Sequence, residues 1–262
     1  MQNASANRTL QDFFDCLRVA PASVLMLDYD GTLAPFQLER DCAYPYPEVV
    51  PILERIVRLG KTRVAVITGR PVGDMKRLLG PLNNIEIWGS HGLERMLPDG
   101  TYWQMNMGKE TTDVLSHAEE WVTAAGLTSR AEIKPGGIAI HWRGMSSAKM
   151  ADIEARIREG WTALAERLGF KLLQFDGGLE LRVAHPDKGD AVAAILEDSD
   201  PAAQIAYLGD DFTDEDAFRV LSDCGLTVLV RTEYRKTLAS VWLKPPQELI
   251  SFLDQWLNRI SV

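Results

Sequence analysis

The sequence holds no paired cysteine motif, no apolar run long enough to cross a bilayer and no excess of basic side chains, and each absence closes off a class of protein. Its three cysteines, Cys16, Cys42 and Cys224, lie far apart with no CxxC, which excludes a disulfide framework or a cysteine zinc site; an odd count fits a reducing compartment. A membrane helix needs about 18 or more consecutive apolar residues, and none occurs. The opening stretch MQNASANRTLQDFFDCL carries one arginine, two acids and no long apolar segment, so no signal peptide is expected, and the location is read as cytoplasmic. With 28 Lys+Arg against 37 Asp+Glu and a net charge of -9, the chain lacks the basic face a nucleic-acid backbone requires. No heptad pattern forces association, so a monomer or weak homo-oligomer is expected. What is present is enough apolar material for a real core, 46% of 262 residues.

Strand and helix patterns alternate, which points to an α/β protein built on a parallel sheet. Strands are expected at 23–27, 63–67, 85–88, 205–208 and 226–230, with helices at 47–59, 72–79, 188–197 and 213–222 and a last helix from Pro246. Pro98-Asp99-Gly100 marks a hairpin turn. The middle of the chain changes character. A helix at 110–125, two strands in 132–142 around Pro135-Gly136-Gly137, a helix at 147–168 and two strands flanking Asp176-Gly177-Gly178 read as a separate α+β lobe. The expected division is 1–107 with 185–262 as one domain and 108–184 as an inserted one.

Three apolar strands end in polar clusters, LMLDYD, VAVITGR and AYLGDD. Ligands of parallel α/β sheets bind at the carboxyl ends of strands, so Asp28, Asp30, Thr68, Asp210 and Asp211 are candidates for one site. An unpaired buried carboxylate costs several kcal/mol, and so many carboxylates close together call for a cation. Oxygen donors without His or Cys suit a hard octahedral ion, and Mg²⁺ is the expected cofactor.

DYDGTL (28–33), Thr68, Lys188 and GDDFTDEDAF (209–218) resemble, in order, the four motifs of the haloacid-dehalogenase-like phosphatases. GSHGLE (89–94) and IHWRG (140–144) narrow the resemblance to the trehalose-6-phosphate phosphatase family. The resemblance implies a Rossmann-like core with an inserted α/β cap and an aspartyl-phosphate mechanism. Asp28 would be the nucleophile. Asp30 would be the acid and then the base, with its backbone carbonyl a metal ligand. Gly31 and Thr32 would turn their amides to phosphoryl oxygens, while Thr68 would hydrogen-bond the phosphoryl group and Lys188 balance its charge. Asp210 would complete the metal sphere, with Asp211 and Asp214 behind it, Asp211 also through water. Gly69 and Arg70 join the substrate-binding set, although Arg70 read alone is equally a solvated turn residue. Glu215 and Asp216 read as acids favoring a helix N-terminus.

The inserted lobe falls between the second and third motifs, the position of the α/β cap that closes over sugar phosphates in this superfamily. Substrate readers are expected at Glu132, Lys134, His141, Glu180 and Arg182 on the cap, and at Ser90, His91 and Gly92 on the facing loop. Taken singly, His141 is also a packed strand histidine and Glu180 a residue of a solvated face. Where the family pattern has a lysine this chain has Gly178. The expected substrate is trehalose 6-phosphate; another glycosyl phosphate (mannosyl- or glucosyl-3-phosphoglycerate, sucrose 6-phosphate) stays open, as does a phospho-acceptor domain.

Overall fold

The computed structural model describes residues 2–167, 169–175 and 177–261. Leu168, the expected end of a helix, and Asp176, in an expected turn, lie outside the described residues. By its contacts the chain divides into two units, Met1–Trp103 with Asp187–Val262, and Gln104–Pro186.

In chain order the first unit runs α1 (Gln2–Val19), β1 (Ser23–Leu27), α2 (Val49–Arg58), β2 (Thr62–Ile67), α3 (Val72–Leu79), β3 (Glu86–Gly89), β4 (Glu94–Met96) and β5 (Tyr102–Gln104). The second unit contributes α4 (Lys109–Ala124), β6 (Ala131–Lys134), β7 (Gly137–His141), α5 (Ser147–Ala165), β8 (Phe170–Phe175) and β9 (Gly178–Val183). The chain then completes the first unit with α6 (Lys188–Glu197), β10 (Gln204–Gly209), α7 (Asp214–Leu221), β11 (Leu226–Val230), β12 (Val241–Leu243) and α8 (Gln247–Ile260).

All five residues of β1 are buried, as befits a central strand covered on both faces. Leu25 and Leu27 join one core with Val64, Val66 and Leu208. Val24 and Met26 point into the other with Ala65, Ile67 and Tyr207; this is the two-residue period of a strand. The sheet order is β12-β11-β10-β1-β2-β3-β4-β5, with β12 through β3 parallel and β4 antiparallel to β3. Strand order reverses direction at β1: the chain passes first to β2 on one side and later to β10 on the other. Such a switch point opens a crevice at the carboxyl ends of β1, β2 and β10. The expected α/β class with a parallel-sheet core is what the chain adopts. Among the described residues no helix is long and apolar enough to cross a membrane.

The second unit is a four-stranded antiparallel sheet ordered β6-β7-β9-β8. Ile138, Ile140, Leu179 and Leu181 are buried on one face, and α4 and α5 pack on β7, β8 and β9.

The sequence reading differs from the structure at the margins. Helix α2 starts at Val49 rather than Pro47, and α5 ends at Ala165. Two elements were not expected at all. Strand β12 is a three-residue edge, too short to show a period. Helix α1 begins with polar residues and is recruited by tertiary contacts near its end, where Phe14 packs on Phe252 at 5.2 Å and Phe13 on Trp256 at 5.7 Å. Trp256 is fully buried and its indole donates to the Thr62 hydroxyl at 3.1 Å. Replacing Trp256→Ala is expected to cost about 3–5 kcal/mol, read as a lower midpoint in urea unfolding.

Candidate active site

At the end of β1 the Asp28 amide still donates to the Leu208 carbonyl of β10 at 2.8 Å, so its carboxylate emerges at the switch point while remaining 4% exposed. The chain then turns sharply. The Tyr29 carbonyl accepts from the Thr32, Leu33 and Ala34 amides, and the Gly31 amide donates to the Ala34 carbonyl at 2.8 Å. Gly31 has a φ of +83°, and a Cβ there would run into the Asp210 carboxylate. Only glycine meets both demands. The Gly31 and Thr32 amides, expected to face a phosphoryl group, are instead committed to the Ala34 and Tyr29 carbonyls, because the tightness of the turn uses them internally. The Thr32 hydroxyl donates to Asp28 Oδ2 at 3.3 Å.

Lys188 is the first residue of α6, whose capping box is closed by Asp187 and Asp190. Its ammonium, buried with the rest of the residue, donates to Asp28 Oδ1 at 2.6 Å and Asp214 Oδ1 at 2.7 Å. Asp214 has no exposed surface and accepts four bonds. Besides Lys188, the Tyr207 hydroxyl donates to Oδ1 at 2.6 Å, and the Asp210 and Asp211 amides donate to Oδ2 at 3.0 and 2.8 Å. This carboxylate shapes the GDDFTD loop from inside. Asp210 differs. It is 1% exposed, neither of its oxygens has a hydrogen-bond partner among the described residues, and Arg231 Nη1 lies 3.7 Å from Oδ2.

One oxygen each from Asp28, Asp210 and Asp214 falls within a common 4.8 Å. Burial, only partly offset by Lys188 and reinforced by Asp214, pushes Asp28 up to about 7. Burial, then the Asp28 and Asp214 charges, push Asp210 well above the carboxylate range. Burial pulls the Lys188 ammonium down, but Asp214 and Asp28 outweigh it and the net shift is upward. The three carboxylates outnumber the Lys188 ammonium and the Arg231 guanidinium, and the Asp210 oxygens, which have no hydrogen bond among the described residues, are the ones open to a cation. An all-oxygen donor set fits a hard divalent ion.

From β2, Thr68 is buried and its hydroxyl accepts the Arg70 amide at 3.2 Å. Gly69 lies against the His91 ring. Arg70 grips Asp30 with two bonds, Nε to Oδ2 at 2.6 Å and Nη2 to Oδ1 at 2.7 Å. Behind this loop Ser90, His91 and Gly92 all take left-handed backbone. The Ser90 amide donates to the Arg70 carbonyl and the His91 amide to the Thr68 carbonyl, each at 2.9 Å. The Ser90 hydroxyl, expected to read substrate, donates to buried Glu94 Oε2 at 2.7 Å, which also accepts the Val72 amide. Asp211 is half-buried and its Oδ1 accepts the Phe212 amide.

In the second unit, strand register places Glu132, Lys134, His141, Glu180 and Arg182 on one sheet face, opposite the apolar face. Glu132 bonds His141 at 2.8 Å and Lys134 pairs with Glu180 at 2.8 Å, while buried Arg182 reaches the Pro186 carbonyl at 3.5 Å. A Cβ at Gly178 would collide with the Phe175 ring, which meets His141 edge-on at 5.3 Å. No longer side chain fits at Gly178 beside Phe175.

A cavity of about 830 Å³ opens around Ser23, Lys61 and Thr62 at the amino ends of β1 and β2, at the opposite end of the strands from these carboxylates.

The family profile described as trehalose-phosphatase matches residues 26–242. The chain belongs to the trehalose-phosphatase family. It is 30% identical over 260 residues to the trehalose-phosphate phosphatase of Mycobacterium ulcerans, covering 92% of this chain and 63% of that protein. The Mycobacterium tuberculosis protein gives the same identity and coverage; the chain therefore spans less than two thirds of these relatives. Among solved structures it is similar to the C-terminal domain of the C. albicans trehalose-6-phosphate phosphatase, with a TM-score of 0.80 at 19% identity, covering 95% of this chain and 96% of that one. A haloacid dehalogenase-like hydrolase from B. subtilis aligns at TM-score 0.61 and 15% identity, over 88% of this chain and 99% of that one. At these identities the likeness shows a shared fold.

Within this trehalose-phosphatase chain, three residues serve the site in ways the motifs do not announce: Tyr207 and Arg235 lie outside every motif, and Glu215, inside GDDFTDEDAF, reads as a helix N-terminal acid. Tyr207 sits in an apolar strand and reads as core, yet its hydroxyl serves Asp214. Arg235 donates to the Asp210 and Asp211 carbonyls at 3.2 and 2.6 Å. Glu215 pairs with Arg235 and accepts from the Thr237 hydroxyl and the Leu238 amide, so it ties the 235–238 segment to the aspartate loop. Long-range partners of this kind leave no local spacing to find.

The two buried aspartates should respond oppositely to neutralization. Asp214→Asn breaks a buried, fully bonded ion pair and is expected to cost about 3–5 kcal/mol. Asp210→Asn removes a buried carboxyl that has no hydrogen bond among the described residues and that burial forces to take up a proton on folding; near neutral pH it is expected to raise metal-free stability by about 1 kcal/mol. Thermal unfolding of the chelator-treated variants checks both.

Proposed function

We propose that this chain is a Mg²⁺-dependent phosphatase that hydrolyzes trehalose 6-phosphate through a phosphoryl group carried on Asp28. The observation supporting it most is the cluster of Asp28, Lys188 and Asp210 at the switch point: a nucleophile beside a buried ammonium and a carboxylate with unbonded oxygens. In the first step an Asp28 carboxylate oxygen attacks phosphorus. The bond from phosphorus to the sugar oxygen breaks, and the Asp30 carboxyl gives that oxygen its proton. In the second step water attacks phosphorus, its proton returns to Asp30, and the bond from phosphorus to Asp28 breaks to release phosphate.

The remaining residues orient and neutralize. The Thr68 hydroxyl hydrogen-bonds the phosphoryl group, and Lys188 holds Asp28 in place while offsetting the charge that accumulates on transfer. The Asp28 and Asp210 carboxylates and the Asp30 carbonyl would hold Mg²⁺, which when bound would supply positive charge against the phosphoryl oxygens. Asp214 and Asp211 keep that loop in shape. The polar sheet face of the 104–186 unit, with Glu132, Lys134, His141, Glu180 and Arg182, is the proposed reader of the sugar hydroxyls. Carboxylates and cations of this kind exchange paired hydrogen bonds with vicinal hydroxyls.

The substrate reading rests on the family and on what the mycobacterial relatives are named for. Phosphate release with Mg²⁺ should favor trehalose 6-phosphate over glucose 6-phosphate, sucrose 6-phosphate and the glycosyl-3-phosphoglycerates. Asp28→Asn should abolish it. Acid quench during turnover followed by borohydride reduction should convert residue 28 alone into homoserine, detected by peptide mass. Turnover with no modified Asp28 would sink the covalent mechanism, and preference for another sugar phosphate would move the substrate alone.

A further inference from the structure

Arg70 lies one turn away from the residues that carry the chemistry, and as a turn arginine it would ordinarily be solvated. Instead its side chain is 8% exposed. Its backbone is fixed on both sides, the amide on the Thr68 hydroxyl and the carbonyl on the Ser90 amide. Ser90 is held in turn by Glu94, whose other oxygen accepts the Tyr102 hydroxyl at 2.8 Å. The guanidinium carbon lies 5.7 Å from the center of the Tyr29 ring, within cation–π range, and the Tyr29 hydroxyl is anchored on the Ala43 carbonyl at 2.7 Å. The backbone that carries this side chain and the ring its guanidinium lies against are therefore both anchored.

What that rigid arm holds is Asp30. Two parallel bonds from a planar guanidinium fix both the position and the plane of a carboxyl group, which one bond from a point charge such as lysine does not. Asp30 itself is 31% exposed at the side chain, follows β1 on a tight turn, and among the described residues its carboxyl has no hydrogen bond or ion pair other than those to Arg70. From this geometry we infer that Arg70 is the positioning residue for the Asp30 carboxyl, setting the orientation from which it serves the leaving oxygen. The inference rests on the proposed acid–base role of Asp30. It gives the TGR segment two jobs on one loop, with Thr68 directed to the phosphoryl group and Arg70 to the proton donor. It also gives Glu94 and Ser90 a place in the same construction, as the buttress behind that loop.

The test uses leaving groups of different need for a proton. p-Nitrophenolate departs without protonation, whereas a sugar alkoxide does not, and kcat/KM reports the first phosphoryl transfer in both cases. The quantity measured is the ratio of kcat/KM for the sugar phosphate to that for p-nitrophenyl phosphate, in the wild type, Asp30→Asn, Arg70→Gln and the double variant. Asp30→Asn should lower the ratio by about 10²-fold or more, the scale of general acid catalysis. Arg70→Gln should lower it by at least about tenfold, and the double variant should fall no further than Asp30→Asn alone, as expected for residues acting as a unit. Arg70→Lys keeps the charge without the fork and should recover only part of the ratio; it also supplies the comparison if the glutamine variant does not fold. Equal losses on both substrates, or an Arg70 effect that adds fully to Asp30→Asn, would overturn the inference and return Arg70 to phosphate binding, leaving the acid role of Asp30 intact. An unchanged ratio in Asp30→Asn would instead remove the acid role, and the inference with it.

Discussion

The arrangement on which the rest depends is the gathering of three buried carboxylates, Asp28, Asp210 and Asp214, around the single ammonium of Lys188. Left alone, such a cluster works against folding, since each buried charge gives up its hydration. The chain answers differently at each position. Asp214 is compensated entirely from within, by Lys188, a tyrosine hydroxyl and two backbone amides. Asp28 is half compensated, by Lys188 and Thr32. Asp210 has Arg231 at 3.7 Å but no hydrogen bond to either oxygen among the described residues. That gradient, from closed to open, separates the carboxylate that builds the loop from those available for a ligand.

The fold supplies the convergence and the loops supply the aim. Because β1 lies between β2 and β10, their carboxyl ends deliver Asp28, Thr68 and Asp210 to one end of the sheet. The tight turn at Gly31 lets Asp210 approach within what would be the space of a side chain. On the other flank, the left-handed turn at Ser90–Gly92 packs behind Thr68–Arg70 and is braced by Glu94. A motif such as GSHGLE thus acquires a physical account in this chain: its serine and glutamate are occupied with each other, and the turn they stabilize fixes the loop that carries Arg70.

The parallel core and the aspartate motifs were legible in the sequence because they depend on local pattern: mainly apolar strands ending in DYDGT, TGR and GDD, each followed by a helical period. The contributions of Tyr207 and Arg235 were not, since Arg235 is 24 residues from the Asp211 carbonyl it binds and Tyr207 is indistinguishable from a core residue in its strand. Glu215 does stand in the first turn of its helix as expected, but its bonds to Arg235, Thr237 and Leu238 are long-range and leave no local signal. Helix α1 and strand β12 were missed for a related reason, their stability coming from α8 and β11 rather than from their own spacing. The direction of the Gly31 and Thr32 amides was misread because a tight turn and an anion cradle share the same residues, and only the bonding pattern tells them apart. Gly178 was visible as a departure from the family pattern, but that Phe175 occupies the neighboring space depends on the β8–β9 pairing.

The central claim, that this carboxylate cluster is completed by a divalent cation, is tested most directly by calorimetric titration of Mg²⁺ into chelator-treated protein, repeated near pH 6.5 and above pH 8 in buffers of different ionization enthalpy. With Asp28 raised to about 7 and Asp210 well above the carboxylate range, these groups hold protons near neutrality that a metal must displace. Saturable binding with proton release is expected at pH 6.5, the release diminishing as the pH rises through the Asp28 value and being reduced in Asp28→Asn. Absence of binding, or binding at pH 6.5 with no proton release, would contradict it.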